Sequence, residues 1–191
     1  MGRDKVLETV GNRSLLEQVV SCVSSLSSEI IIVTAGKRTT LQLTYYPKLK
    51  IVTDIYPGKG PLVGIYTGLA ASTSFHNLVV AADMPFLNQG LLHYMIQLSA
   101  NSDIVTLRVG DLVEPLHAVY SKSCLAPIED MIKQDRLSVH KLLSQVRVRY
   151  VEAEEIEKFD PKHLSFFNVN TKADLEIARE LAGGNHNDDK C

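Results

Sequence analysis

The sequence predicts an α/β fold of the Rossmann-like type, in which a mainly parallel β-sheet lies between two layers of helices. Short β-branched runs alternate along the chain with longer segments whose apolar residues recur at helical spacing. This alternation is typical of parallel strands joined by crossover helices. Residues 78–82 form a run that is apolar throughout, as expected for a strand that is covered on both faces of such a sheet.

The first half of the chain opens with a polar segment and a well-marked helix. Residues 1–13 contain charge and glycine but no strand pattern, whereas Ser14 and Glu17 have the spacing of a capping box at the start of a helix. Runs rich in Ile and Val indicate the strands. The predicted elements, in order, are a helix over residues 14–26, a buried strand over 29–34, a second strand over 49–54, a helix over 61–69 and a buried strand over 78–82.

The second half contains a hairpin that interrupts the alternation of strands and helices. Gly110 and Asp111 form a turn signal between two strand-like runs, which predicts an antiparallel hairpin added to the mainly parallel sheet. Thr171 and Asp174 are placed to cap the last helix. The predicted elements are a helix over 90–100, hairpin strands over 103–109 and 114–120, helices over 125–133 and 139–146, strands over 147–151 and 166–171, and a helix over 172–181.

The composition is that of an ordinary globular protein. The chain has 191 residues, 45% of them hydrophobic, and a formal net charge of -2, a balance that favours neither nucleic acid nor a membrane as partner. Residues 1–184 are predicted to form one domain, and residues 185–191 a polar tail. The three cysteines lack the spacing of metal ligands. We expect Cys22 and Cys124 to be buried thiols in a reducing compartment, and therefore a cytoplasmic protein.

Acidic residues stand at the ends of two predicted strands. Asp54 ends one of them, and Asp83 follows the apolar run over residues 78–82. Ligands of open α/β sheets bind outside the carboxyl ends of the strands, so both aspartates are placed for a metal or a phosphate-bearing substrate. Magnesium needs only one or two carboxylates when phosphate oxygens complete its shell, so Asp83 alone would suffice for a Mg²⁺–nucleotide complex. Asp83 can equally begin a turn.

A glycine-rich loop and two asparagines extend the set of candidates. Gly58 and Gly60 precede a helix that opens with Pro61, and such a loop can hold an anion on its N–H groups, although a simple strand-to-helix turn has the same glycine pattern. Asn168 and Asn170 are two apart on a predicted strand, so both can address one crevice, and either can also cap a local turn. The sequence has no G-x-S-x-G elbow and no G-x-x-x-x-G-K-[ST] loop.

Five segments of the chain, in order, resemble one known family. They are MGRDKVL at the N-terminus, D-x-x-P-G-K-G-P-L-V-G from Asp54, AADMPF over residues 81–86, EPLHAVY over 114–120 and FNVNTKADL over 167–175. Together they resemble the MobA-type molybdenum cofactor guanylyltransferases over nearly the whole chain. DMPF and NVNTKADL are the more specific parts of the resemblance.

The resemblance implies a Rossmann-like, three-layer nucleotidyltransferase fold and a reaction that passes GMP from GTP to molybdopterin. Mg²⁺ is the implied cofactor and pyrophosphate the product, with Asp83 and Lys5 as catalytic residues. A molybdoenzyme or another cofactor-biosynthesis protein is an implied partner. The implied site residues are the phosphate-binding Lys5, the nucleotide-binding Asp54 and Gly60, the magnesium-binding Asp83, and Asn168 and Asn170 near the pterin substrate.

The sequence departs from the family pattern at its start. Family members begin with a strand that leads into L-A-G-G-x-S-x-R-M-G-x-D-K, and this sequence begins at the Met of that motif. The expected domain is therefore N-terminally incomplete, without the first strand and most of the phosphate loop. Two alternative functions stay open: a CTP-dependent molybdenum cofactor cytidylyltransferase, and a noncatalytic protein that binds the cofactor.

Overall fold

Helices and strands alternate along most of the chain, as the sequence predicts. The computed structural model describes residues 5–36 and 46–183, and of Lys5 only the backbone. The elements are β1 (Thr9–Val10), β2 (Arg13–Ser14), α1 (Leu15–Ser24), β3 (Ile30–Thr34), β4 (Leu49–Thr53), α2 (Pro61–Ala71), β5 (His76–Val80), α3 (Gln89–Gln97), β6 (Ile104–Val109), β7 (Leu112–Ser121), α4 (Leu125–Lys133), α5 (Val139–Leu143), β8 (Val148–Val151), α6 (Ala153–Ile156) and α7 (Lys172–Gly183).

The main strands form two sheets. β3 and β4 are a parallel pair, and the other sheet has the strand order β5-β7-β6-β8. β6 and β8 are parallel, whereas β7 is antiparallel to both β5 and β6. The α/β fold class and the antiparallel hairpin are confirmed, with one difference in detail: the second arm of the hairpin lies inside the sheet, because it pairs with β5 on one edge and with β6 on the other.

Alternate side chains of the central strands enter two separate cores. Ile104 and Tyr120 pack with the apolar residues of α2, α4 and α5, whereas Val105 and Val119 pack with those of α3 and α6. Successive residues of a strand point to opposite faces of a sheet, so these two cores lie on its two faces. The predicted three-layer arrangement is confirmed.

The start of the chain contains a short hairpin that the sequence pattern did not indicate. β1 pairs with β2 around a turn in which Gly11 has φ +64°. The predicted capping box follows directly: the Ser14 N–H donates to Glu17 Oε2 (2.7 Å), and the Glu17 N–H donates to Ser14 Oγ (3.2 Å). The prediction that residues 1–13 contain no strand is therefore wrong, because β1 and β2 form two residue pairs. The Gly11-Asn12 dipeptide is a hairpin-turn signal that could have indicated them.

The prediction of a strand over residues 166–171 is wrong. Leu164–Phe166 is a 3₁₀ turn, and an irregular segment leads from it to α7. Its turn is fixed by Asp160, whose carboxylate accepts from the N–H groups of Leu164 (3.0 Å) and Ser165 (2.8 Å). The backbone is thus anchored to a side chain and has no regular ladder. The predicted cap of α7 is confirmed, since Thr171 Oγ1 accepts from the Asp174 N–H (3.1 Å).

Two strands predicted to be buried are only half-buried. Every residue of β5 and the first four of β3 retain partial exposure. Among the described residues β3 pairs with β4 alone and β5 with β7 alone, so one edge of each strand lacks a neighbour that would cover it. The apolar sequences of these strands were interpreted correctly as core-forming, but their full burial requires a strand on either side.

Three further expectations concern cysteines, membranes and the tail. Cys22 and Cys124 are buried, as predicted. Within residues 5–36 and 46–183, no helix is long and apolar enough to cross a membrane. The predicted polar tail, residues 185–191, lies outside the described residues, and a single domain over residues 1–184 stays a prediction.

Candidate active site

Asp83 lies in the turn that follows β5, at the end of the strand where ligands of α/β proteins bind. Met84 and Leu87 anchor this turn, since they are 0% and 6% exposed and pack against α1. Asp83, which lies between β5 and Met84, is half-buried. The local sequence D-M-P therefore fixes the backbone through its apolar residues and leaves the carboxylate accessible at the sheet edge.

A backbone hydrogen bond brings the asparagine segment to Asp83. The Val169 N–H donates to the carbonyl oxygen of Asp83 over 2.9 Å. Val169 is buried, whereas Asn168 is half-buried and Asn170 is exposed. The two predicted asparagines therefore flank the residue that contacts the Asp83 backbone, although they are not on a strand.

Glu114 is a second carboxylate at the level of Asp83. β5 and β7 are antiparallel with Val80 opposite His117, and the Ala81 N–H continues this register to the Leu116 carbonyl (2.9 Å). The same register places Asp83 level with Glu114. Burial raises the pKa of Glu114, and the charge of Asp83 acts in the same direction. The sequence contained Glu114 in the EPLHAVY segment, but only the strand register reveals its neighbour.

Asp54 and Gly60 follow β4, which is a strand of the other sheet: Asp54 directly follows the strand, and Gly60 ends the loop before α2. The Asp54 N–H donates to the Thr34 carbonyl (2.8 Å) and extends the β3–β4 ladder by one step. Its Oδ1 lies 3.1 Å from Thr67 Oγ1 of α2 and accepts from the Tyr56 N–H (3.3 Å). These contacts hold the carboxylate at the start of the loop, and all the loop residues from 55 to 60 are exposed.

Gly60 has a backbone conformation that other residues rarely adopt. It is the residue before α2, with φ +91° and ψ −179°, and Pro61 follows at the first helical position. Lys59 is tied to the Asp135 carboxylate by an exposed ion pair of 2.9 Å. The loop therefore offers backbone N–H groups, rather than the Lys59 ammonium, at the amino end of α2.

Gly60→Ala is expected to destabilise the protein by about 2 kcal/mol, because an alanine at φ +91° is strained even though its Cβ meets no neighbouring atom. Urea unfolding measures the loss. Gly64→Ala is the matched control: Gly64 lies inside α2, and a Cβ there would also meet no neighbouring atom, so helix propensity predicts a gain of about 0.5–1 kcal/mol. Equal effects of the two alanines would contradict the backbone argument.

Lys5 begins the part of the chain that the structure describes. Its backbone starts a 3₁₀ turn over Lys5–Leu7, and the Val6 side chain packs against Leu16 and Val20 of α1, as Ile32 of β3 and Ala82 do. The Lys5 backbone therefore lies next to this cluster of α1. Its side chain lies outside the described part of the chain, so its assignment to phosphate stays a prediction.

His117 is a core residue beneath this site. It is 0% exposed, and its ring lies 6.4 Å from that of Phe166. Neither ring nitrogen makes a hydrogen bond of standard geometry to a described residue. Burial lowers the pKa of His117 to about 4, and outweighs the Ser165 backbone and the Asp160 charge, which act in the opposite direction. The interpretation of His117 as a packing residue agrees with this position.

The buried His117 makes stability sensitive to acid. The unfolded chain binds the proton with an ordinary pKa of about 6.5 and the folded chain only near 4, so the free energy of unfolding should fall by up to about 3 kcal/mol between pH 6.5 and 4. Urea titrations across this range measure it. His117→Leu should remove this part of the slope, and His93→Gln, at an exposed position, should keep it; identical slopes in all three proteins would contradict the assignment.

The carboxylates of this edge fit a magnesium ion that arrives with a nucleotide. Across residues 5–36 and 46–183, no three His, Cys, Asp or Glu side chains form a complete metal cluster. Asp83 and Glu114 offer hard oxygen donors, and Mg²⁺ usually takes its remaining ligands from phosphate and water. The donor set therefore suits Mg²⁺ and lacks the His and Cys ligands typical of zinc.

The three-layer α/β fold, the acidic residue at a strand end and the glycine-rich loop before a helix agree with the class of the nucleotidyltransferases. The chain belongs to the MobA-like NTP transferase family, whose model matches residues 1–150. This confirms the resemblance inferred from the sequence motifs.

Relatives of known name agree with this membership. A "probable molybdenum cofactor guanylyltransferase" of Pelotomaculum thermopropionicum is 36% identical over 182 residues, which cover 95% of this chain and 87% of that protein. The molybdenum cofactor guanylyltransferase of Desulfosudis oleivorans is 31% identical over 178 residues, or 93% of this chain and 86% of that one.

Solved structures share the fold. Molybdopterin-guanine dinucleotide biosynthesis protein A of Archaeoglobus fulgidus is similar with a TM-score of 0.81 and 27% identity, covering 96% of this chain and 92% of that chain. The 2-C-methyl-D-erythritol 4-phosphate cytidylyltransferase of Thermus thermophilus has a TM-score of 0.72 at 16% identity over 94% of both chains. The second similarity establishes the fold alone.

Proposed function

We propose that this protein transfers the GMP group of GTP to molybdopterin, forming molybdopterin guanine dinucleotide and releasing pyrophosphate. The names of its relatives support this reaction. The observation that carries it furthest is the hydrogen bond between the Val169 N–H and the Asp83 carbonyl (2.9 Å). This bond joins the DMPF and NVNTKADL segments, the two most specific family motifs, at one edge of the sheet.

The proposed substrate positions follow the two sheets. Asp54 and the backbone around Gly60 bind the nucleotide from the β4 side, because exposed N–H groups at the start of α2 favour an anion. Lys5 binds the phosphate oxygens. Asn168 and Asn170 flank Val169, which donates to the Asp83 carbonyl, and they bind the pterin substrate through amide donors and acceptors.

The proposed chemistry is an in-line displacement at the α-phosphorus of GTP. A terminal phosphate oxygen of molybdopterin forms the new P–O bond, the bond to the β-phosphate breaks, and pyrophosphate leaves with the electron pair. The attacking phosphate is already anionic near neutral pH, so no protein group needs to remove a proton from it. The protein contributes positioning and electrostatic stabilisation.

Magnesium held by Asp83, with Glu114 beside it, would supply positive charge to the phosphate oxygens as charge develops on the leaving group. The protein's own part is to hold the carboxylate in place: Met84 and Leu87 fix the turn from below, and Val169 fixes its carbonyl. Lys5 adds further positive charge.

We also propose that the protein works in the cytoplasm and passes its product to a molybdoenzyme or another cofactor-biosynthesis protein. Cys22 and Cys124 are free, buried thiols, as is common in proteins of a reducing compartment.

Product analysis with both nucleotides tests the proposed reaction. The protein is incubated with molybdopterin, Mg²⁺ and either GTP or CTP, and the dinucleotide and pyrophosphate are quantified. GTP should give both products in equal amounts, and CTP should give neither. Transfer from CTP instead would indicate a cytidylyltransferase. Tight pterin binding in isothermal titration with no GTP consumption would indicate a noncatalytic cofactor-binding protein.

A further inference from the structure

β7 contains a large β-bulge directly after Glu114. Thr106 and Leu107 are adjacent in β6, but their partners in β7 are Ala118 and Glu114, so the three residues between these partners, 115–117, have no partner on β6. A bulge of the usual kind adds one residue to a strand. The bulge of β7 is therefore larger than most and displaces the strand from its neighbour over a longer stretch.

The opposite edge of β7 stays paired through the bulge. His117 lies opposite Val80 of β5, and the Leu116 carbonyl accepts from the Ala81 N–H over 2.9 Å. β7 therefore follows β5 toward the turn of Asp83 while it departs from β6. Bulges bend a strand and redirect its side chains, and they are frequent beside active sites. The bulge of β7 adjoins the carboxylate that lies level with Asp83.

Two buried hydroxyl groups hold the bulge. The Tyr120 hydroxyl donates to the Pro115 carbonyl over 2.8 Å, and the Thr106 hydroxyl donates to the Glu114 carbonyl over 2.9 Å. Both of these side chains are 0% exposed. The bulge interrupts the ladder between β6 and β7, and the two hydroxyls supply hydrogen-bond donors to its carbonyl groups.

Both hydroxyls come from the face of the sheet that α2, α4 and α5 cover. Tyr120 and Ile104 belong to this core, and Thr106 lies two residues after Ile104 in β6, on the same face. Burial of a hydroxyl is costly unless it is hydrogen-bonded, and phenylalanine or valine would fill the same space at no such cost. Burial also raises the pKa of Tyr120, so its hydroxyl remains a donor near neutral pH. The bulge therefore explains these two hydroxyls, and apolar packing does not.

Glu114 is coupled electrostatically to the site. Burial raises the pKa of its half-buried carboxyl group, and the charge of Asp83 acts in the same direction, whereas the Leu116 backbone in the bulge acts in the opposite one. Two carboxylates that influence each other in this way repel one another until a cation binds between them. A backbone that holds both in place therefore favours the binding of a divalent cation.

We propose that Tyr120 and Thr106 are positioning residues for the transfer reaction: their hydroxyls fix the bulge over residues 115–117 and so hold the Glu114 carboxylate beside Asp83, where the two carboxylates share the divalent cation of the nucleotide. This inference rests on the proposed function, because the cation arrives with GTP. Both hydroxyl-bearing side chains are fully buried, so they act through the backbone and do not touch the substrate.

Variants that lack a single hydroxyl test the positioning role. Tyr120→Phe and Thr106→Val each remove one donor and keep the shape of the side chain. Each should lower kcat about tenfold with little change in the KM for the pterin substrate, and should weaken nucleotide-dependent Mn²⁺ binding about tenfold in electron paramagnetic resonance titrations. These values are at the lower end of the roughly 10–100-fold effects seen when a group that orients a metal ligand is lost.

Two control variants separate positioning from stability. Thr106→Ser keeps the hydroxyl and should hold kcat and Mn²⁺ binding within about twofold of the wild-type values. Tyr94→Phe removes a tyrosine hydroxyl that donates to the Glu155 carboxylate (2.6 Å) in the core on the other face of the sheet. It should lower the Tm and change neither kcat nor Mn²⁺ binding.

A double-mutant cycle with Glu114→Gln decides whether the hydroxyls act through Glu114. In the Glu114→Gln background, Tyr120→Phe should cause no further loss of Mn²⁺ binding, because the carboxylate that it positions is already absent. Additive losses, wild-type Mn²⁺ binding in Tyr120→Phe, or an equal loss in Tyr94→Phe would overturn the inference. Failure of the proposed function has a different signature: the wild-type protein then transfers no GMP, and the Mn²⁺ titrations still decide the role of the two hydroxyls.

Discussion

Asp83→Asn is expected to lower the rate of GMP transfer by about 10²–10³-fold, the usual effect of removing one electrostatic contact to a developing charge. The amide keeps the shape of the side chain but loses the negative charge that a metal–nucleotide complex requires. Folding should be unaffected, because the structural contact of this residue is its backbone carbonyl, which accepts from Val169. Transfer rates and thermal unfolding measure the two effects separately.

Asp111→Asn is the matched control for the lost charge. Asp111 is exposed in the turn between β6 and β7, so its amide variant should retain full activity. Nucleotide-dependent Mn²⁺ binding, followed by electron paramagnetic resonance, gives a second readout that should weaken for Asp83→Asn alone. Near-full activity and unchanged Mn²⁺ binding in Asp83→Asn would contradict the assignment.

Asp160→Ala is expected to cost about 3–5 kcal/mol of stability, because it leaves buried hydrogen-bond donors without a partner. Asp160 is 7% exposed, and its carboxylate accepts from the Ser165 N–H (2.8 Å), the Ser165 hydroxyl (2.5 Å) and the Leu164 N–H (3.0 Å). Ser165 is fully buried, so alanine leaves two of its donors without a partner. Urea unfolding at pH 7 measures the loss.

The effect of Asp160→Ala should reach the substrate edge as well, because the turn that it anchors leads directly into Asn168. We expect a higher KM for the pterin substrate and little change in the KM for GTP. Asp130→Ala, at an exposed position of α4, should change stability by less than about 0.5 kcal/mol. A loss below about 1 kcal/mol for Asp160→Ala would contradict the anchoring role.

Local rules predicted the elements that depend on neighbouring residues. The Ser14–Glu17 capping box, the hairpin at Gly110 and the cap of α7 each involve contacts within a few positions, and all three are confirmed. Residues 166–171 have the apolar alternation of a strand but not its structure, because the Val169 N–H donates to the Asp83 carbonyl and the N–H groups of Asn170 and Thr171 donate to the Asp174 carboxylate. Rules based on local residue spacing do not predict hydrogen bonds of this kind that replace those of a strand ladder.

The composition of the site was partly predictable, and its geometry was not. Asp83 was selected as a candidate from its place after an apolar run. The position of Asp83 opposite Glu114 depends on the register of β5 and β7. Its contact with Val169 depends on how a segment far away in the sequence packs against the turn after β5. Register is set by side-chain packing over whole strands, so a single sequence reveals the residues of such a site more readily than their neighbours.

The contact between Val169 and Asp83 also sets when this edge can form during protein synthesis. A ribosome adds about 5–20 residues per second, so Asp83 is made several seconds before Val169. The contacts of the β1–β2 hairpin form later still, because they come from α7: the Arg179 side chain donates to the Thr9 carbonyl (3.0 Å), and Leu175 packs on Val10. A nascent chain therefore completes this edge only after nearly the whole polypeptide has been synthesised.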